Sequence, residues 1–464
     1  MKLPEGIPEL SALFAARGYA LYLVGGFVRN SLIGISGGDV DICSAATPDE
    51  ATEIARAAGF SVIPKAAELG TVELHIHRDG RTLAFEHTTF RSDVYPETGQ
   101  HRPSRVAFTD DMEKDARRRD FTANAMYLDT AAERYADPTG SGIADIRARV
   151  LRAAAEDPDI TLRDDGLRIM RMARFAAELG FSVSPELMDC AKRRAPLLTD
   201  ISAERKRDEL VKILLSDTKY PQLAGADAPL RGLSLLHEAG ALRYVVPALC
   251  EGEGVAQKAQ YHRHDVLWHN LYACAAAPPE LTLRLAALLH DIGKPRVLAQ
   301  NGNMYGHEVL GETLAREALS ALRFDNATRD AVTRLVRWHM FDLEGRAKRS
   351  TLRKRAVRLG REAFEQLIAL RRADIAGSGY GTEAPSADRW RAELYRMEAD
   401  GVPWRVSDLA ITGEDVMQAL DIPPSKQVGR VLETLHAECV LHPALNQRGA
   451  LLDRLRGMKA NMLL

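Results

Sequence analysis

The chain has no apolar run of the roughly 18–20 residues that a membrane-spanning helix needs. Its first residues, MKLPEGIPEL, put Pro and Glu where a secretion signal needs apolar side chains. Both absences predict a protein without membrane attachment and with a cytoplasmic location. Cysteine is scarce: five in 464 residues, at 43, 190, 250, 274 and 439, odd in number and unpaired by spacing. That excludes a disulfide scaffold, argues against a thiolate zinc site and suits a reducing compartment. Net charge is nearly absent too, since 62 Lys+Arg against 64 Asp+Glu give −2. A chain-wide polycation is excluded, so any nucleic-acid contact must be a local patch. What is present is ordinary for a folded protein, with 46% hydrophobic and 27% charged residues. The length calls for several domains of roughly 100–200 residues each.

The first 130 residues read as mixed α and β. Tyr19–Val28 is an apolar strand ending in two glycines, and 39–45 (DVDICSA) alternates like a half-buried strand. Thr47-Pro48-Asp49-Glu50 is a helix start: a capping Thr, Pro at the first helical position and acids in the first turn. Runs at 60–64, 71–77 and 81–90 predict antiparallel hairpins, with a turn at 78–81. Beyond about 150 the periodicity becomes helical, broken by a loop at 377–386.

Three groups of residues carry chemistry. In the first, Gly25-Gly26-Phe27-Val28-Arg29 follows a strand; glycines let backbone N–H groups approach a phosphate, and an Arg adds a fork of donors. Asp39-Val40-Asp41 places two carboxylates two apart, on one face if the segment is a strand. Two Mg²⁺ ions are their natural partners, one activating an attacking hydroxyl and one holding a triphosphate. A solvent-facing acidic pair is the alternative. Glu86 is a candidate third catalytic carboxylate, or an exposed strand residue. Arg117-Arg118-Arg119 cannot share one helical face, so some are surface charge and one or two could clamp a phosphate or ribose.

Taken in order, GGFVRN, DVD, FEHTTFRSD, RRRDFTANAM and DDGLRIMRMARFAAELGF resemble the class II tRNA nucleotidyltransferases. These are the bacterial and eukaryotic CCA-adding enzymes of the DNA polymerase β superfamily, whose head is shared by bacterial poly(A) polymerases. The resemblance covers nearly the whole chain. It implies that Gly26 and Arg29 contact nucleotide phosphates, that Asp39 and Asp41 hold the metal, and that Arg118 or Arg119 with Asp120 forms the family's RRD motif. Two departures stand out. Asn30 replaces the usual Asp after the motif Arg, which would weaken an orienting salt bridge, and Asp164-Asp165 replaces the usual Glu-Asp. The segment 91–105 corresponds to a loop associated with the switch from C to A addition, and its presence favours full CCA addition or A addition.

The second group is Asp165, Arg168, Arg171 and Arg174, spaced by three on an expected helix. A solvated stripe is one reading. The chemical reading is sharper. Cytosine and adenine both show an amino donor beside a ring-nitrogen acceptor, so an Asp can accept and an Arg donate, while guanine and uracil present the reverse. The resemblance assigns that reading of CTP or ATP to Asp165 and Arg168, with Arg171 and Arg174 in support.

The third group is His269, His290-Asp291, His307, His339 and Asp374, with His-Asp ending an apolar helix. Imidazole with carboxylate suits Mg²⁺ or a divalent transition metal, and six residues leave room for one or two ions. The set resembles the HD phosphohydrolases, which implies a possible metal-dependent phosphohydrolase activity. The run 346–361 carries eight Arg/Lys and no acid. It is either a track for tRNA phosphates or a solvated face.

The expectation is thus an α+β chain: a nucleotidyltransferase head at 1–150, a helical neck at 151–245, an HD-type helical metal domain at 246–376 and a tRNA-binding helical tail at 377–464. The expected partners are the tRNA 3′ end at its acceptor stem, CTP and ATP. An A-adding enzyme, a poly(A) polymerase, or a phosphohydrolase with an RNA-binding head are the alternatives.

Overall fold

The computed structural model describes residues 3–78, 80–94 and 105–462; the turn residue Asp79 and most of the 91–105 loop lie outside them. The chain forms two compact units, Met1–Pro247 and Ala248–Leu464.

The first unit holds β1 (Tyr22–Val24), β2 (Asp41–Ser44), β3 (Ser61–Ala66), β4 (Thr71–Arg78), β5 (Arg81–Thr89), β6 (Arg91–Val94), β7 (Arg105–Phe108), β8 (Tyr127–Asp129) and β9 (Arg134–Ala136). Seven strands make one mixed sheet in the order β3-β4-β5-β2-β1-β8-β9, while β6 and β7 pair separately. The expected antiparallel pairing holds for β3-β4-β5, and β2 joins β5 in parallel. Around the centre of the sheet, Val24, Cys43, Phe90, Ala125 and Tyr127 close a buried cluster.

Two strand expectations are corrected. The first strand is only Tyr22–Val24, because Gly25, at φ +74°, turns the chain and Gly26–Ile33 is already helix. Asp39 lies ahead of β2, so strand alternation does not govern the Asp39/Asp41 pair. The helix at Pro48–Ala57 begins where Thr47 places it. The Thr47 side chain accepts from the Glu50 backbone N–H, and the Glu50 carboxylate accepts from the Thr47 N–H at 2.8 Å. Beyond the sheet the unit is helical. Asp165 is not on the helix of its supposed partners: it ends the Pro158–Asp164 helix, and the next runs from Arg168 to Leu179.

The second unit is helical. Val266–Ala276, Leu281–Leu289, His307–Ala321, Asn326–Trp338 and Arg361–Gly377 carry the histidine set on themselves or just past their ends. Asp265 and Asp325 cap two of these helices by accepting from Trp268 and Thr328 backbone N–H groups. Toward the end of the chain a separate apolar cluster forms around Val416, Leu435, Cys439, Leu451 and Leu455. It packs against the Lys426–Leu441 helix, which supplies Val428, Leu435 and Cys439 to it.

Candidate active site and metal centre

In the first unit a cleft of about 950 Å³ gathers Gly25, Gly26, Arg29, Asp39, Asp41, Arg118, Arg119, Asp120, Asp165, Arg168, Arg171 and Arg174. Glu86 is absent from its lining but sits beside Asp41 in the β2–β5 register. Asp41 is half-buried, and burial, with Glu86 and Asp39 nearby, pushes its carboxyl up to about 6. Gly25 has no side chain at this point; a Cβ there would lie 3.7 Å from Asp41 Oδ2. Crowded carboxylates opening on space beside a glycine turn suit a divalent cation.

The cations of the cleft differ in how they are held. Arg171 donates to Asp120 at 2.9 Å, and Asp120 also accepts from Asn124 Nδ2 at 3.0 Å. Asn124 in turn accepts from Arg29 Nη1. Asn30 shows what the departure from Asp does. Its Oδ1 accepts from Arg29 at 2.9 Å, and its Nδ2 donates to the Tyr220 hydroxyl at 3.0 Å. An aspartate there could only accept from that hydroxyl, with the direction of the bond reversed. The link to Arg29 survives without a negative charge at position 30, and Arg29, 2% exposed, lines the cleft. Arg118 and Arg119 both grip Asp115, at 2.6 and 3.1 Å. Burial would raise Asp115, but these two guanidinium groups hold it down at about 2. The third Arg of the run, Arg117, pairs with Glu113 and Glu156 away from the cleft.

Arg174 is the clearest shift from expectation. It is buried, donating to Glu209 at 2.6 Å and to Glu178 at 3.1 Å, and it stacks on Phe175 at 4.0 Å. It braces the wall through these acids instead of offering an open fork. Arg168 donates to the Thr161 and Arg118 carbonyls at 3.0 and 2.7 Å, which fixes its plane while leaving other N–H groups. Asp165 accepts from Leu167 N–H at 3.1 Å and from Arg205 at 2.6 Å. Sequence reasoning missed Arg205 and Glu209, from the distant Ala203–Leu214 helix, and Tyr220, from the junction that follows Lys219, none of which has a local signal. It also missed Asp115 and Glu178, whose spacing of four from Arg119 and Arg174 was there to read.

In the second unit the six His/Asp side chains converge as two groups, His269/His290/Asp374 and Asp291/His307/His339. Asp291 stands between them. Its Oδ1 is 3.0 Å from His307 Nε2 and its Oδ2 is 3.4 Å from His290 Nε2. The tautomers follow from the backbone. His290, His307 and His339 place Nδ1 at 2.7–2.8 Å from the carbonyls of Ala287, Met304 and Val336. A carbonyl only accepts, so each Nδ1 carries a proton and each ring points its Nε2 inward. Two such nitrogens meet at 3.1 Å between His307 and His339. Burial would lower His290, but Asp291 and Asp374 push it up to about 10, so the pocket attracts positive charge, and inward Nε2 atoms beside two buried carboxylates form a donor set that fits a divalent metal. Gly293 makes the convergence possible, since a Cβ there would fall 2.3 Å from the His307 carbonyl oxygen.

Comparison with known proteins identifies the domains that carry these two clusters. Residues 21–152 match the Poly A polymerase head domain, 180–252 the probable RNA- and SrmB-binding site of polymerase A, and 254–376 the HD domain. An A-adding tRNA nucleotidyltransferase of Deinococcus radiodurans is 30% identical over 434 residues, covering 89% of this chain and 90% of that enzyme. A CCA-adding enzyme of Geobacillus thermodenitrificans is 38% identical over 245 residues, 53% of this chain and 55% of its own length. The crystal structure of the Bacillus stearothermophilus CCA-adding enzyme in complex with CTP superposes with a TM-score of 0.70 at 26% identity, covering 99% of this chain and all of that one. The chain belongs to the class II CCA-adding and poly(A) polymerase family, carries an HD domain, and is a tRNA nucleotidyltransferase.

Proposed function

We propose that the chain adds CMP and AMP, from CTP and ATP, to the 3′ end of tRNA without a nucleic-acid template, releasing pyrophosphate. One observation carries this reading: a single cleft is lined at once by the carboxylates Asp39 and Asp41, by Asp165 and Arg168, and by arginines braced from within the protein. In the transfer, the tRNA 3′ oxygen bonds to the α-phosphorus as the bond to the β-phosphate oxygen breaks. Asp39 and Asp41 would hold Mg²⁺, with Glu86 alongside; when bound, the metal supplies Lewis-acid activation of the hydroxyl and charge shielding of the triphosphate. The chain's own residues position the substrate. Gly25 and Gly26 admit the phosphates to the start of the Gly26–Ile33 helix. Arg29, Arg118, Arg119 and Arg171 supply positive charge whose direction is fixed by Asn124, Asp115 and Asp120. Asp165 accepts from the amino group of cytosine or adenine, and Arg168 donates to the ring nitrogen. A uracil or guanine would leave both partners unsatisfied.

The same reading places the protein in the cytoplasm. Among the described residues no helix is long and apolar enough to cross a membrane. A-only addition is the second reading, favoured by the near end-to-end match to an A-adding enzyme. The HD centre would hold one or two divalent ions through His269, His290, Asp291, His307, His339 and Asp374, and its chemistry is hydrolysis of a phosphate ester.

The test is nucleotide incorporation on three tRNA transcripts, ending before CCA, in C and in CC, with single NTPs and all four together. Growth by three, two and one nucleotides with GTP and UTP refused supports CCA addition. Growth only from the CC end gives A addition, and a long A ladder a poly(A) polymerase. No growth overturns the reading of the head.

A further inference from the structure

Three guanidinium groups of the head cleft converge on one aromatic ring, that of Phe175. Phe175 lies in the Arg168–Leu179 helix, is 7% exposed and lines the cleft. Arg174, its neighbour in the chain, stands 4.0 Å from the ring centre. Arg171, one helical turn earlier, and Arg29, from the Gly26–Ile33 helix, each stand 5.3 Å from it. All three are within cation–π reach. The fully buried Phe121 meets the same ring with centres 6.0 Å apart and planes at 83°, which fixes its tilt.

The three cations are not balanced alike. Arg171 pairs with Asp120, and Arg174 with Glu178 and Glu209. The hydrogen-bond partners of Arg29, Asn124 and Asn30, are neutral. Like charges around one ring repel. Burial pushes the Arg29 guanidinium below its ordinary value, and Arg174 adds to the push. A carboxylate beside Arg29 would relieve this, but it would also cancel charge that a triphosphate needs. An aromatic face does something different. It draws a guanidinium through the ring quadrupole, carries no net charge, and leaves the N–H edges free to donate.

We propose that Phe175 is a positioning residue of the nucleotide site: its ring anchors Arg29 and Arg171 beside the braced Arg174 and holds the Arg29 charge open to the triphosphate of the incoming nucleotide. The proposal rests on the reading of these arginines as phosphate-facing groups. Leu or Met would suit the helix and the burial equally well; what they lack is a π face. Phe175 acts through the arginines. It therefore governs how tightly the triphosphate is held and not which base is read, the task given above to Asp165 and Arg168.

The test uses the full chain with Mg²⁺ and reads two quantities: KM for each substrate in tRNA extension, and the Ki of inorganic pyrophosphate, an anion with no base. Phe175→Leu should raise KM for CTP and ATP and the pyrophosphate Ki about tenfold, the scale of cation–π contacts in a desolvated site. KM for tRNA and the order of preference among the four NTPs should hold. Phe175→Tyr keeps the ring and should stay within about threefold of the wild type. A trifluorinated phenylalanine at 175 keeps shape and apolar area while draining negative charge from the ring face. It should raise the pyrophosphate Ki at least about threefold with the melting temperature unchanged. A wild-type Ki in the fluorinated protein would overturn the proposal and make Phe175 a packing residue. So would a Phe175→Leu variant whose KM for tRNA rises as much as its pyrophosphate Ki. Arg29→Met keeps the two readings apart. A raised Ki there, with none in the fluorinated protein, sinks the role of Phe175 alone; an unchanged Ki in both refutes the phosphate-facing reading of the arginines.

Discussion

The head cleft and the HD centre both collect charge, in opposite ways. In the cleft, arginines outnumber acids and most are braced from behind: Arg171 by Asp120, Arg118 and Arg119 by Asp115, Arg174 by Glu178 and Glu209. At the HD centre nothing spreads out. Six side chains drawn from helices and helix ends bring ring nitrogens and carboxylate oxygens together, with neighbouring pairs such as His269–His290 and Asp291–His307 at 3.0 Å. A large anion with many oxygens needs an open wall of donors fixed in direction. A small cation needs acceptors crowded on one point. The first arrangement is stable by itself because its charges are paired within the protein. The second holds buried acceptors that attract positive charge, as the upward push on His290 by Asp291 and Asp374 shows, and a divalent ion is the cation that can satisfy several of them at once.

The largest expected effect separates the two sites. Asp39→Ala with Asp41→Ala should cut nucleotide addition by at least ~10³ while leaving metal-dependent hydrolysis of a phosphodiester probe intact. His290→Ala with Asp291→Ala should do the reverse. Loss of both activities in either variant would mean that the sites are not chemically independent.

Next in size is the bracing. Arg174→Ala leaves Glu178 and Glu209 buried without their cation and should cost about 3–5 kcal/mol in a urea unfolding titration. A loss under about 1 kcal/mol would mean that the braces are dispensable. Chelation sharpens the other half of the comparison. At a hundredfold excess over Kd a bound ion stabilises by about 2.7 kcal/mol. Stripping divalent ions should therefore lower the melting temperature of the wild type, and lower it much less in His290→Ala/Asp291→Ala. Equal shifts would place the stabilising ion elsewhere.

The smallest effect is a pH dependence. Asp115 is held at about 2, below its usual 3.8. A depressed acid contributes stability that is complete above the unfolded value and disappears as pH falls from about 4 to about 2. The difference amounts to about 2 kcal/mol. Asp115→Asn should flatten that part of the acid unfolding curve, and an unaltered slope there would remove Asp115 from the account.

Some of this was legible in one dimension. The Thr47–Glu50 helix start was readable because a capping box is made within four residues. The β3-β4-β5 hairpins were readable from strand runs separated by short turns. The strand predicted over Tyr19–Val28 was too long, because an apolar run does not say where Gly25 will turn it. Asp165 and Arg168 were assigned to one helix because a spacing of three suits one, and the sequence does not reveal that one helix stops at Asp164 and the next starts only at Arg168. The site residues were drawn from motifs. Who holds each of them was not, since Arg205 lies forty residues from Asp165 and Glu209 thirty-five from Arg174.

The sequence by itself determined the family, the mixed head followed by helices, and the side chains able to do chemistry. Those depend on residue type and local order, which the linear chain carries whole. Only the tertiary structure decided which arginines brace a wall and which face outward, and which imidazole nitrogen keeps its proton. Each of those outcomes depends on a carboxylate or carbonyl brought from elsewhere to within about 3 Å, because the strength and direction of a hydrogen bond or ion pair are set by distance in space and not along the chain.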